Sequence, residues 1–152
     1  MGSFLRYIAA VAVIVALMQL IPSYKKQNPV VDPAKEIKAP KDVMTIFQRS
    51  CYDCHSNQTK WPWYADIAPM KWVVRRDVIE GRKALNFSIW QEYDEQKKQK
   101  LKKRIFRSVF MAMPPPQYLW LHPEAKLSDE DKKRIRLWAS DGKGFIEDLE
   151  VR

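Results

Sequence analysis

The feature that most constrains this chain is the pentapeptide Cys51-Tyr52-Asp53-Cys54-His55, which has the pattern C-x-x-C-H. Two cysteines three residues apart lie on one face of a helical turn, so both thiols can bond to the same flat cofactor. The histidine that follows can then ligate a metal at the centre of that cofactor. The pattern is the attachment signature of a c-type haem. It predicts thioethers from Cys51 and Cys54 and places His55 as the proximal iron ligand.

A redox dithiol, a zinc site and a simple disulfide also use a C-x-x-C pair. A thioredoxin-like dithiol needs alternating strands and helices, and no such alternation is visible here. A structural zinc site needs four nitrogen or sulfur ligands. The chain's only cysteines and histidines are Cys51, Cys54, His55 and His122. Because adjacent Cys54 and His55 fit poorly into one tetrahedron, one covalently bound haem c is the favoured cofactor.

The uncharged run over residues 7–24 predicts that the chain is exported. As a helix, these residues reach about 27 Å, just short of the ~30 Å hydrocarbon layer. Arg6 before the run favours a cytoplasmic N-terminus, although Lys25 and Lys26 after it weaken that argument. A cleaved signal peptide is the alternative, but no A-x-A pattern follows the run. We expect an uncleaved anchor in the inner membrane, with the domain facing the periplasm.

The chain divides into three segments. Residues 1–24 form the membrane anchor or signal segment, residues 25–40 a proline-containing linker, and residues 41–152 the haem-binding domain. The linker has no helical or alternating period, so we expect a semi-rigid spacer that lifts the domain off the membrane.

Apolar periodicity and capping residues predict an all-α domain. A first short helix begins at Asp42 and runs into the motif, and a second extends from Pro69 to about Lys83. Ser88 with Gln91 forms a capping box that opens a third helix ending near Met111. The last helix is predicted over residues 128–142, with a serine N-cap and a terminal glycine.

The net charge of +9 comes from 27 Lys and Arg against 18 Asp and Glu. Export argues against nucleic acid as the partner, which leaves an acidic redox protein or a lipid surface. The basic side chains concentrate on the third predicted helix, at Lys97, Lys98, Lys100, Lys102, Lys103, Arg104 and Arg107. They indicate either a solvated face or a docking face for an acidic redox protein.

Aromatic residues on both sides of the motif are candidates for the haem pocket. Phe47 lies four residues before Cys51 and points the same way. Trp61, Trp63 and Tyr64 lie in a proline-containing turn that can wall the haem, with ordinary packing as the alternative. The candidate acceptors for the second ring N–H of the proximal histidine are the carbonyl oxygens of Pro62 and Pro69.

Met113 is the favoured distal iron ligand. Pro114 forces the residue before it out of the helix, which places the thioether on a stiff segment past a helix end. His122 is the alternative ligand, and an open distal site is a third possibility, with Met111 and Met70 as minor candidates. Ligation by histidine and methionine leaves no position for a substrate, whereas an open site would allow peroxide or gas chemistry.

The order of these elements resembles the class I cytochrome c fold. More narrowly, the stretches CYDCHSNQTKWPWY, IAP, EGRKALNFS and MPPPQYLWLHPEAKLS and the final LW resemble the exported bacterial haem-binding domain family, over roughly residues 40–142. The resemblance implies covalent haem c, an all-α fold whose first and last domain helices cross, and the same four ligand residues. One departure is Val43, at a position where class I chains usually have glycine, so we expect a wider or rotated crossing opposite Trp138.

The sequence therefore predicts a membrane-anchored monohaem c-type cytochrome. Its expected role is one-electron transfer between periplasmic or membrane redox partners, and covalent attachment implies a haem maturation machinery. The alternatives are a peroxidase-like haem enzyme or small-ligand sensor with an open distal site, and a haem-carrying subunit of a larger respiratory complex.

Overall fold

Helices account for the regular structure of residues 2–142, which are the residues that the computed structural model describes. No strand occurs in this range, so the predicted all-α class with an apolar N-terminal helix is confirmed. The α-helices are α1 (Gly2–Gln19), α2 (Lys41–Ser50), α3 (Tyr52–His55), α4 (Met70–Ala84), α5 (Glu95–Met111), α6 (Pro116–Leu119) and α7 (Asp129–Ala139). Short 3-10 turns lie at Trp63–Asp66, Phe87–Glu92 and Pro123–Ala125.

The core of the domain forms where α2 and α5 pack against α7. Phe47 and Ile135 are fully buried at this contact. The Phe47 ring stacks on Phe87 with the ring centroids 4.8 Å apart, and Trp138 meets it edge-on at 5.2 Å. Val43 is buried in the same cluster. The first and last helices of the domain are therefore in contact, as the resemblance to class I cytochromes implies.

Ion pairs join α2 to α7 at the rim of this core. Arg49 pairs with Asp131 at 2.7 Å and Arg134 with Asp42 at 3.0 Å. Asp42 does not cap α2 with its side chain as the sequence predicts, because Pro40 occupies the N-cap position. The Asp42 carboxylate lies in the first turn of α2, where its negative charge interacts favourably with the positive end of the helix dipole. It also accepts a hydrogen bond from the Arg134 guanidinium.

The third predicted helix begins later than the sequence indicates. Ser88 does not open it, because the Ser88 hydroxyl is buried and accepts a hydrogen bond from the Asn57 backbone N–H at 3.0 Å. The Asn86 side chain caps a short 3-10 turn instead. The α-helix then starts at Glu95, with the Asp94 carboxylate accepting from the Lys97 N–H at 2.7 Å.

The capping box that opens the last helix is present. The Ser128 hydroxyl accepts from the Asp131 N–H at 3.0 Å, and the Asp131 carboxylate accepts from the Ser128 N–H at 2.9 Å. Gly142 follows the helix with a φ of 79°, and its N–H donates to the Leu137 carbonyl. Both ends of the predicted helix are therefore capped by the expected chemistry.

The segment that follows α1 lies along α4. Carbonyl groups of this segment accept hydrogen bonds from the domain. Three α4 side chains donate to it: Trp72 Nε1 to the Pro22 oxygen at 3.0 Å, Arg75 to Tyr24 at 2.9 Å and Arg82 to Gln27 at 2.7 Å. These contacts hold residues 22–27, which include the start of the predicted linker, against the domain.

Candidate haem-binding site

The C-x-x-C-H motif lies where α2 ends and α3 begins. Cys51 closes α2, with its N–H donating to the Phe47 carbonyl at 2.8 Å. Its own carbonyl accepts from the His55 N–H at 2.9 Å, which closes the single turn of α3. The structure therefore brings Cys51, Cys54 and His55 together in one helical turn, as the spacing predicts.

The surroundings of the two cysteines favour uncharged sulfur. The two cysteines form no disulfide with each other and are partly exposed. Desolvation by the surrounding protein nonetheless raises the pKa of Cys51 to about 12, and the neighbouring Cys54 adds to this effect. Desolvation, with the negative charges of Asp53 and Asp77, also raises the pKa of Cys54 to about 12. A reactive dithiol or a zinc thiolate needs the opposite environment, whereas a thioether sulfur carries no charge and fits this one.

The His55 ring is held by backbone carbonyls from α4. Nδ1 lies 2.9 Å from the Gly81 oxygen and 3.1 Å from the Leu85 oxygen. Since carbonyl oxygens only accept, Nδ1 carries the proton and Nε2 keeps its lone pair for a metal. The predicted acceptors, the carbonyls of Pro62 and Pro69, are wrong. The orienting oxygens lie at the C-terminal end of α4, where the helix dipole favours a donor.

The charge state of His55 suits an iron ligand. Desolvation lowers the pKa of His55, and the positive charge of Arg104 acts in the same direction, while the two carbonyl hydrogen bonds oppose them. The imidazole is therefore neutral at neutral pH, which is the form that binds a metal.

Gly81 allows α4 to approach the motif this closely. An ideal Cβ at position 81 would stand 2.5 Å from the Cys54 carbonyl oxygen and 3.2 Å from the Cys54 Cβ. Any side chain would push α4 away from α3 and move the carbonyls that orient His55. A glycine within a helix interior is the sequence signal that could have identified this contact.

One face of α5 lines a basic cavity. The cavity measures about 380 Å³, and we call it the α5 cavity. It is lined by Leu101, Ser108, Lys97, Lys100, Lys103, Arg104 and Arg107. The positive charge of Arg104 contributes to lowering the pKa of His55. A cation-lined cavity suits carboxylates such as the propionates of a haem.

Met113 lies just past the end of α5. The helix ends at Met111, and the Met113 N–H donates to the Ser108 carbonyl at 2.9 Å. Ser108 also lines the α5 cavity, so Met113 is anchored to the cavity wall. The Met113 side chain is 41 % exposed. The proline that follows ends the helix where the sequence predicts, and the thioether remains available as a ligand.

His122 is engaged by other side chains. Its Nε2 lies 2.6 Å from the Tyr64 hydroxyl and its Nδ1 lies 3.1 Å from a Glu124 carboxylate oxygen. Tyr118 stacks on the ring with the centroids 4.3 Å apart. Ligation of iron by His122 would break one of these hydrogen bonds.

The predicted pocket aromatics lie in different environments. Phe47 is in the core, Tyr64 is buried against His122, and Trp61 is partly exposed. Trp63 is 76 % exposed. Trp63 and Tyr64 are in edge contact with their ring centroids 5.7 Å apart, whereas the Phe47 ring packs on Phe87 and Trp138.

Sequence reasoning missed a contact between the motif and the segment after Met113. The Tyr118 hydroxyl donates to the Asp53 carboxylate at 2.9 Å. Burial and the Asp53 charge raise the pKa of Tyr118, which keeps the hydroxyl protonated as a donor. Since Tyr118 lies five residues beyond Met113, this hydrogen bond holds the chain that carries the candidate distal ligand beside the motif. No local pattern in the sequence marks such a pair.

One comparison with known proteins supports a haem-binding role for the chain. No curated protein and no solved structure matches the chain. A family model described as a haem-binding domain matches residues 13–141, which include the motif, the linker and residues 13–19 of α1. Since the match covers most of the sequence, and the site offers suitable ligands, the chain is a haem-binding protein that belongs to the haem-binding domain family.

Proposed function

We propose that this protein is a membrane-anchored monohaem c-type cytochrome that carries single electrons between periplasmic or membrane redox partners. The observation that carries the proposal is the arrangement at His55. Two carbonyl oxygens hold its Nδ1–H and leave Nε2 as a free ligand, one helical turn from a thiol that is kept uncharged. A structural zinc site or a dithiol would not need an imidazole oriented in this way.

Four residues would hold the cofactor. The thiols of Cys51 and Cys54 would each add across a vinyl double bond, with sulfur bonding to one carbon and hydrogen to the other, so that no group leaves. His55 would be the proximal ligand and Met113 the distal one. When bound, the haem supplies an iron that changes its charge by one electron. If His55 and Met113 both bound the iron, no position would remain for a substrate, which favours a carrier over a catalyst.

The near-infrared spectrum tests the distal ligand. Met113→Ala is expected to remove the charge-transfer band of the oxidised iron–thioether pair and to lower the reduction potential, because methionine ligation stabilises ferrous iron. The matched control is Met111→Ala. Met111 lies two residues earlier and is 85 % exposed, so this variant should keep the band. A wild-type protein without the band, or a Met113→Ala variant that retains it, would instead support His122 or an open distal site with enzyme or sensor chemistry.

We further propose that the basic face of α5 guides an acidic redox partner to the haem. The α5 cavity carries five cationic side chains, and one of them, Arg104, already acts on the His55 ring. A concentrated positive field near a redox centre raises the rate of encounter with anions.

Electron transfer to ferricyanide tests this field without a known partner. The double variant Lys97→Glu/Lys100→Glu should slow oxidation of the reduced protein by this anion several-fold at low salt, and the difference should shrink as salt is added. The control variant Lys132→Glu/Lys133→Glu changes the net charge equally on α7. Equal slowing in both variants would show that overall charge, and not the α5 face, governs the encounter.

The proposed location is the inner membrane, with the domain in the periplasm. The helix α1 is long and apolar enough to cross a membrane, and a signal sequence would pass the same test. Its position at the N-terminus before an attachment motif supports export, since covalent haem attachment takes place outside the bacterial cytoplasm.

A further inference from the structure

The end of α1 is fixed to the domain by hydrogen bonds. None of its described side chains is buried, so the helix projects from the domain. At its last residue, the Gln19 side-chain oxygen accepts from the Ala68 N–H at 3.1 Å. The Gln19 carbonyl accepts from the buried Lys71 ammonium at 2.8 Å. The positive charge of the Lys71 ammonium also interacts favourably with the negative end of the α1 dipole. Two hydrogen bonds and this charge interaction therefore join the end of α1 to the domain.

The whole of α1 is long enough to cross a membrane, but its uncharged part after Arg6 is shorter than the hydrocarbon layer. Between Arg6 and the end of the helix at Gln19 lie 13 uncharged helical residues, 7–19. They span about 20 Å, whereas the hydrocarbon layer is about 30 Å thick. The Arg6 side chain can extend towards the headgroups while its backbone lies within the hydrocarbon layer. This extension makes up only part of the missing length. Whatever follows Gln19 must therefore lie within the boundary between hydrocarbon and headgroups.

Exposed apolar side chains surround this junction. Leu20 and Ile21 continue from α1 and are 78 % and 53 % exposed. On the domain side, Ile67 and Met70 flank the residues that bind Gln19, and they are 43 % and 36 % exposed. These four side chains, from the two sides of one hydrogen-bonded junction, form what we call the membrane face.

The polar groups near the membrane face also suit a lipid surface. The Trp72 indole N–H is bonded to the Pro22 carbonyl, and tryptophan is enriched at membrane interfaces. Asp66 is neutralised by Lys26 and Arg75, so the acid next to Ile67 presents no unpaired negative charge. Lys25 adds a further positive charge in the same segment.

We propose that the domain lies directly on the bilayer, with the membrane face inserted at the boundary between headgroups and hydrocarbon. The inference rests on the proposed anchor role of α1. The linker contacts with α4 then hold the domain in one orientation on the membrane. The family match begins within α1 and includes this linker, which agrees with a structural unit that continues to the membrane.

A spin label at position 70 tests the insertion. The full-length holoprotein carrying Met70→Cys is labelled with a nitroxide and reconstituted into vesicles of phosphatidylcholine and phosphatidylglycerol. We expect relaxation by oxygen, which partitions into lipid, and protection from a water-soluble nickel complex. The control is Leu137→Cys on α7, which is 49 % exposed and has a similar apolar side chain. A label there should show the opposite preference.

The possible results distinguish insertion of the membrane face from the anchor role of α1 and from thioether attachment. A position-70 label as accessible to nickel as the control, in a protein whose intact mass includes residues 1–24, would overturn the inserted face while the anchor remains. An intact mass that lacks the N-terminal segment would overturn both. Labelling of the wild-type protein would reveal free native thiols and contradict thioether attachment, and its signal would then be subtracted from those of the two labelled variants.

Discussion

Replacing Gly81 by alanine is expected to lower the free energy of unfolding by about 2 kcal/mol, because the new Cβ has no space. It would meet the Cys54 backbone carbonyl at 2.5 Å, and a backbone atom cannot rotate away as a flexible side chain does. The helix α4 must therefore move away from α3. Helix propensity alone predicts the opposite sign, since alanine is favoured over glycine by about 1 kcal/mol within a helix. The sign of the change separates the two effects.

Chemical denaturation of the holoprotein, followed by the haem absorbance, measures this change. Movement of α4 also removes the acceptors of the His55 ring proton, so the reduction potential should shift together with stability. Gly2→Ala serves as the control, because an added Cβ at Gly2 has nothing within 4 Å. If Gly81→Ala were as stable as the wild type, with an unchanged potential, the close approach would play no part in orienting His55.

Replacing both Cys51 and Cys54 by alanine is expected to abolish covalent haem completely. The chain has no other cysteine, so nothing else can form a thioether. Haem should then be extracted from the variant by acid acetone, whereas in the wild type it should remain in the protein precipitate. The single variants Cys51→Ala and Cys54→Ala separate the two bonds. Haem that resists extraction from the double variant would refute attachment through this motif.

The double cysteine variant should also lose stability. A haem that is not bonded to the chain can dissociate, and the apolar groups that it covers then become exposed to water. A control with Ser50→Ala, next to the motif and buried, should keep its covalent haem.

Features encoded in local sequence could be predicted. The C-x-x-C-H turn depends on residues within one helical turn of each other. The end of α5 depends on Pro114, and the start of α7 depends on Ser128 and Asp131. In each case the deciding contact lies within a few residues, so the pattern and the structure agree.

Features decided by distant residues could not be predicted in this way. The acceptors of the His55 ring lie 26 and 30 residues further along the chain, and they are backbone atoms without a residue signature. Ser88 has the pattern of an N-cap, but Asn57, 31 residues away, takes its hydroxyl. The sequence gives no sign that the linker contacts the domain, because its partners are side chains of α4 more than 50 residues further along the chain.

The contacts between the linker and α4 affect how the protein would meet its redox partners. A spacer would let the domain search for partners above the membrane, whereas a linker held against α4 would keep an anchored domain at one distance from the bilayer. Arg82 contributes twice to this contact, since it donates to Gln27 and to the Asn28 side chain. An electron carrier held in this way would meet partners that lie in, or close to, the same membrane.

The central claim is that one haem is joined to the chain through Cys51 and Cys54. The most direct test is the intact mass of the full-length protein under denaturing conditions, after expression with a haem maturation system. We expect the mass of the chain plus one haem, and a peptide containing residues 51–55 that carries the added mass. A mass equal to that of the bare chain, from cells with an adequate haem supply, would contradict the account.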